Sequence, residues 1–498
     1  MAGAIKKLAK ETAIYGLSSI VGRFLNWMLV PMYTRVLVST GDYGIVTNLY
    51  SWAALLLVLL TYGMETGFFR FMNKEGENAN TVYSTSLTSL FVTSLFFILF
   101  IVVFIDPVSG FLGYAGMEDL VLMLAIIIAM DAFSSIPFAY LRYKNRPLRF
   151  AFLKLLFIFL NIGLNIFFLL IAPWLYKTAP EWVGWFYNPD YQIGYIFVSN
   201  LIATSITLLA LSPNFLRIKY RFDPGLLNRM LKYSFPILIL GLAGIFNQTA
   251  DKIIFPFLFS DRVYANEQLG IYGACFKIAV ILVMFVQAFR FAYEPFIFSR
   301  NRQDDAKETY SKAMHYFIIV SLFAFLGVML FMDVLKHFVG EKYYAGLGVV
   351  PIVMMGEVFY GIYYNLSLWY KLTDQTHWGA YFSFLGCFFT VVIIVLFAPV
   401  YGFMACAWAS FFCNLAMMLA SYFTGQKRYP ISYDLKSALF YFVLTMILYL
   451  LGTKITLSSV LFNYAYKVLL IGVFVAFSVW RGDFSLSHIP FANRSRKG

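Results

Sequence analysis

The chain has 498 residues; 61% are hydrophobic, only 13% are charged, and the net charge is +13. Soluble domains carry about a quarter charged residues, so this composition excludes a soluble fold. The basic balance alone would suit a nucleic-acid binder, but its placement along the chain assigns it to membrane topology and leaves no nucleic-acid partner to invoke.

Apolar runs of about 18–25 residues recur from end to end, each long enough to cross a ~30 Å hydrocarbon core as a helix. The short alternation of a β-barrel is missing. In chain order the runs predict fourteen spans, at 12–37, 44–69, 82–105, 119–141, 150–172, 193–212, 233–258, 269–291, 313–332, 347–370, 379–398, 402–424, 437–452 and 460–480. The first follows Lys6, Lys7 and Lys10 and contains Arg23. It is too long and too charged for the core of a signal peptide and reads as a retained helix. An even number of spans puts both termini on one side. With that side cytoplasmic, its segments hold 27 Lys and Arg and the opposite connections five, the bias expected of cytoplasmic loops.

The first and seventh spans look like copies. With residue 16 placed under 241, Gly16 meets Gly241, Leu17 meets Leu242, Ile20 meets Ile245 and Pro31 meets Pro256, and GDYG (41–44) then meets GIYG (270–273). Six spans separate the copies, so both begin on the same side, as in a parallel repeat about an axis along the membrane normal. The expected fold is an all-α polytopic membrane protein: two pseudo-symmetric six-helix lobes around a central cavity, plus two C-terminal helices. The lobes are 1–212 and 233–424, joined by a cytoplasmic linker at 213–232, with the last two helices and a cytoplasmic tail in 425–498.

At 100° per residue, Gly241, Gly244, Gln248, Asp251 and Lys252 share one arc of the seventh span. Gly16, Ser19, Arg23, Asn26 and Trp27 share the matching arc of the first. A charge at mid-bilayer costs at least about 2.5–3.5 kcal/mol, so both arcs are expected to face the protein interior or a wet cavity. Adjacent helix residues diverge, so Asp251 and Lys252 are expected to take different partners. Lys277 in the eighth span matches Asn48 in the second; Asp131 and Glu357 lie inside the fourth and tenth. Lys154 reads as snorkelling to the headgroups, Arg35 as a neighbour of Asp42, and Lys467 as peripheral. The functional and structural readings compete at each of these charges.

Several chemistries are absent. There is no GxxxxGK[ST] loop and no GxSxG element; the four histidines are scattered, and the four cysteines lie in apolar runs without metal spacing. No cofactor or metal is expected, and the loops have no room for a soluble catalytic domain, so the chain does not read as an enzyme.

PMYTRVLVSTGDYGIV (31–46), TYGMETGFFRF (61–71), DKIIF (251–255), YNLSLWYKLTDQT (364–376) and APVYGFMACAWASF (398–411) together resemble the Wzx-type polysaccharide flippases, the O-antigen and capsule transporters of the multidrug/oligosaccharidyl-lipid/polysaccharide exporter (MOP) superfamily. Met404 and Ala405 stand where Gly-Ala is common there. The resemblance implies a flippase in the cell membrane. It would move an oligosaccharide on polyprenyl diphosphate, such as a lipopolysaccharide O-antigen repeat unit, to the outer leaflet by alternating access. Membrane lipids, a polysaccharide polymerase and a chain-length regulator are its expected partners. On this reading Arg23, Lys252 and Lys277 face the diphosphate, and Asn26, Gln248 and Trp27 face sugar. Asp131, Asp251 and Glu357 are the candidates for H⁺ or Na⁺ coupling, as in an antiporter. A peptidoglycan-precursor flippase and a cation-coupled multidrug exporter of the same superfamily are the alternatives.

Overall fold

The computed structural model describes residues 21–300, 305–455, 457 and 459–483; within 291–300 the only side chains described are those of Tyr293 and Ile297. Gly16, Ser19 and the first half of the first expected span lie outside these residues. From residue 21 that span is helical to 27 and again over Val30–Val36.

Thirteen further helices are long and apolar enough to cross a membrane among the described residues, and no strand occurs there. They are α1 (Thr40–Met72), α2 (Ala79–Val103), α3 (Glu118–Tyr143), α4 (Pro147–Thr178), α5 (Gln192–Leu211), α6 (Pro224–Leu258), α7 (Arg262–Arg290), α8 (Ala306–Leu330), α9 (Val349–Leu372), α10 (His377–Tyr401), α11 (Met404–Arg428), α12 (Leu435–Lys454) and α13 (Val460–Trp480). They match the second to the fourteenth expected spans; the first lies partly outside the described residues. The protein is an all-helical multi-pass membrane protein.

Contacts divide the chain into two compact units. The first holds the chain up to Lys277 together with Val339–Gly346 and Gly379–Ser410. In it α1 opens on a capping box: the Ser39 hydroxyl accepts the Asp42 N–H, and the Asp42 carboxylate accepts the Ser39 N–H. Asp42 thus satisfies the helix end. Arg35 donates to the Pro31 carbonyl at 2.7 Å. Further along, α1 turns at Tyr62 and Gly63, both with positive φ (34° and 69°). A Cβ on Gly63 would lie 2.9 Å from the Ser234 carbonyl of α6, so glycine serves there both the left-handed turn and the close approach. Beyond the bend, Met64, Phe68 and Phe71 pack with Tyr83 and Leu87 of α2, Ile136 of α3 and Met230 of α6.

Glycine also brings α1 and α7 together. A Cβ on Gly44 would fall 1.9 Å from the Asn266 carbonyl oxygen, and one on Gly270 1.8 Å from the Thr40 carbonyl oxygen. Gly41 faces Glu267 and Gly273 faces Thr47, so contacts climb both helices in the same direction. The helices run parallel, backbone against backbone, through small-xxx-small spacings.

The second unit holds Ile278–Phe338, Leu347–Trp378 and the chain from Phe411. Here α8 packs against α9 and α12: Gly361 leaves room for the Phe317 ring, and Gly452 for Leu330 and Leu470. Lys467 is buried in this unit, its ammonium paired with Asp333. This corrects the peripheral reading, because the partner lies 134 positions away and no local pattern announces it.

Candidate functional site

The polar groups of the first unit sit inside helices that are otherwise apolar. Near the end of α6, Asp251 and Lys252 are both buried. The Lys252 ammonium lies 2.9 and 2.8 Å from the two Asp251 carboxylate oxygens and 3.3 Å from the Gln248 carbonyl. The expectation of separate partners is therefore overturned. Neighbouring Cβ atoms do diverge, but the four-carbon lysine stem folds back over its own preceding turn. α6 then tightens into a 3₁₀ turn at Phe255–Leu258. Tyr272 of α7 donates a 2.5 Å hydrogen bond to Asp251, and the Phe276 ring lies 4.2 Å from the ammonium. Lys252 is thus neutralised by its neighbour and further held by cation–π attraction.

Asn48 of α1 is buried against this pair. Its amide donates to the Lys252 carbonyl at 2.7 Å and accepts from the Tyr114 hydroxyl at 2.8 Å. Gln248 is exposed on the same helix as Lys252.

A second group joins the leading helix to its neighbours. The Trp27 indole N–H donates to the Lys277 carbonyl at 2.6 Å, which brings two expected site residues together. Lys277 itself is half-buried on α7, within repulsive range of Lys252, and no carboxylate among the described residues pairs with it. Arg23, one turn before Trp27, is exposed. Asn26 accepts from the Asn161 amide at 3.4 Å; Asn165 donates to the Asn161 carbonyl at 2.7 Å and accepts from the Tyr33 hydroxyl at 2.9 Å. Asn161, Asn165 and Tyr33 are additions to the expected set. Their signal is an asparagine pair at i,i+4 inside the apolar run FLNIGLN, a spacing that puts both amides on one helix face.

Asp131 is exposed on α3 and close enough to Lys154 of α4 for their charges to attract. No hydrogen bond to its carboxylate occurs among the described residues. Lys154 lies 4.1 Å from the Phe138 ring centre, so it turns toward protein groups, with its charge beside Asp131, and not only toward headgroups. Across the same unit, Asn200 of α5 donates to the Tyr50 hydroxyl at 2.8 Å, and Arg142 pairs with Glu65. Glu357 belongs to the second unit, half-buried on α9. There Arg290 stacks 4.0 Å from the Tyr364 ring centre. Among the described residues no cluster of His, Cys, Asp or Glu could hold a metal ion.

The fold is that of MOP-superfamily transporters. A lipid II flippase, MurJ, in an inward closed conformation overlays with a TM-score of 0.73 at 15% identity, over 94% of this chain and 99% of that one. A multidrug resistance MATE family transporter in an inward-facing conformation overlays at 0.59 and 14% identity, over 81% and 98%. A Vibrio cholerae MATE transporter overlays at 0.56 and 14% identity, over 89% and 99%. Residues 8–301 match the family described as Polysaccharide biosynthesis protein, and the chain belongs to that family. No curated protein matches it.

Proposed function

We propose that the protein is a flippase, not an enzyme, that carries a polyprenyl-diphosphate-linked oligosaccharide from the cytoplasmic to the outer leaflet of the cell membrane, with both termini cytoplasmic. The observation that carries this reading is Lys277: a cation in an apolar span with no carboxylate partner among the described residues, tied through its carbonyl to the helix that bears Arg23 and Asn26. An unpaired ammonium there is costly, and an anionic ligand offsets that cost. Arg23 offers a forked donor to phosphate oxygens and Lys277 a point charge; Asn26, Gln248 and Trp27 are the contacts for the glycan. Membership in the polysaccharide biosynthesis family supports a glycan cargo. Lys252, already neutralised by Asp251, drops out of the diphosphate set.

A membrane potential negative inside favours export of an anion by about 2.3 kcal/mol per charge per 100 mV, so voltage alone contributes to the drive. Asp131, exposed and beside Lys154, is the better placed candidate for ion coupling. Asp131→Asn should leave the protein folded and flatten the dependence of transport on pH or Na⁺. An unchanged dependence removes Asp131 from that role.

The main test is Arg23→Gln and Lys277→Gln, each read in cells for membrane abundance and for the leaflet that holds the lipid-linked glycan. Normal abundance with at least about a ten-fold loss of outer-leaflet delivery is expected, the size of effect that follows from removing one charged contact. Full delivery by both variants overturns the assignment. A peptidoglycan-precursor flippase is the second reading, favoured by the higher TM-score of the lipid II flippase than of the two MATE transporters. Reconstitution with each lipid-linked substrate, and with a cationic drug for the exporter reading, separates the three.

A further inference from the structure

The first unit carries an apolar cavity of about 490 Å³ on the faces of α2, α3 and the end of α5, within the roughly 300–1,000 Å³ of small-molecule sites. Leu87, Phe91, Leu95, Met130 and Phe133 form its walls, and Thr88 and Ser94 supply the only hydroxyls along α2. From Leu87 to Ile98 it runs about 16 Å along that helix at 1.5 Å per residue. Phe91 and Leu95 are exposed, so the cavity opens on the surface that meets lipid.

One end is closed by the segment after α5, where Leu216 and Tyr220 line the cavity. The same segment carries Arg217, Lys219 and Arg221, all exposed and none in an ion pair among the described residues. The segment is held in place. The Tyr83 hydroxyl of α2 donates to the Asn214 carbonyl at 2.9 Å, Asn80 donates to the Lys219 carbonyl at 2.6 Å, and Ser84 donates to the Arg221 carbonyl. Tyr220 itself donates to the Phe215 carbonyl at 2.8 Å. The segment that closes this end of the apolar slot therefore has a fixed backbone and carries three cations, none neutralised by a carboxylate among the described residues.

We infer that this slot seats the isoprenoid chain of the polyprenyl diphosphate carrier, with its phosphates at Arg217, Lys219 and Arg221. The inference rests on the proposed substrate class and assigns the carrier a docking place apart from Arg23 and Lys277. One end of the ligand must be long and apolar and the other anionic, which is the order of chemistry from the slot to the segment that closes it. Clustered Lys and Arg at a membrane surface attract anionic headgroups. The chain fills the slot, and the phosphates bind as the charge complement of the loop.

The test uses the full-length protein in detergent and a fluorescent polyprenyl diphosphate without glycan. Leu95→Trp narrows the slot from its rim, and Arg217→Gln with Lys219→Gln and Arg221→Gln removes the cations. Phe96→Trp, on the same helix but outside the lining, is the folding control. Binding should weaken about ten-fold or more with each of the first two changes and stay unchanged with the third. Phosphatidylglycerol micelles should not compete at equal concentration. Equal binding by wild type and Leu95→Trp overturns the slot while the flippase reading stands. Equal competition by phosphatidylglycerol shows the occupant to be phospholipid and overturns the assignment. No binding by the wild-type chain overturns both.

Discussion

Asp251→Ala is expected to lower stability by about 3–5 kcal/mol, the penalty for stranding one member of a buried ion pair. The Lys252 ammonium would lose both carboxylate contacts, and the Tyr272 hydroxyl its acceptor. Thermal unfolding of the purified protein should show the loss as a clear drop in midpoint. Asp251→Leu combined with Lys252→Met should recover most of it, because well-packed apolar residues often replace a buried pair without net cost. The double variant also separates structure from transport. Delivery of lipid-linked glycan close to wild type is expected, since the pair's charges satisfy each other. A stable double variant with no transport would return Lys252 or Asp251 to the substrate or ion path.

That pair also shows where reading the chain stops short. The spans were legible because an uninterrupted apolar run of ~18 or more residues matches the thickness of the hydrocarbon core and is longer than a soluble core helix needs. Each expected run from 44 onward matches a helix in α1–α13. Partner choice was not legible. Residue spacing gives the direction of a Cβ, but a lysine stem reaches across more than one turn, so facing alone did not predict the Lys252–Asp251 contact. Lys467 reads as peripheral in an appended span, yet α13 brings it to Asp333. The bend at Tyr62–Gly63 was hidden inside a continuous apolar run, because the Ser234 carbonyl that Gly63 lets approach comes from a distant helix. Asn161 and Asn165 were visible as a pair within one span, but they carry no charge and so stand out less against the apolar background. Neutral amides nonetheless belong to the polar interior: Asn26, Asn48, Asn161, Asn165 and Asn200 all make hydrogen bonds inside the first unit.

Gly44→Ala and Gly270→Ala are expected to be the most damaging single-methyl additions to this protein. Each new Cβ would meet a backbone carbonyl oxygen, at 1.9 Å from Asn266 and 1.8 Å from Thr40, and neither obstacle can rotate away. Relief requires α1 and α7 to separate along their shared face, with loss of the close packing that holds helices together where lipid is as apolar as leucine. The cost should exceed the ~1–3 kcal/mol usual for an overfilled core, and little folded protein should reach the membrane. Two neighbours calibrate the experiment. Gly273→Ala would press on the Thr47 side chain at 2.7 Å, which can turn once its hydrogen bond to the Tyr43 carbonyl is released, so an intermediate loss is expected. Gly244→Ala on α6 meets nothing within 4 Å and should be neutral or slightly stabilising, since alanine favours helix by about 1 kcal/mol over glycine. Membrane abundance and unfolding midpoint should therefore fall in the order Gly244, Gly273, then Gly44 and Gly270. Wild-type stability in Gly44→Ala and Gly270→Ala would mean that the two helices do not run backbone to backbone, and the parallel contact between the paired GxYG segments would have to be abandoned.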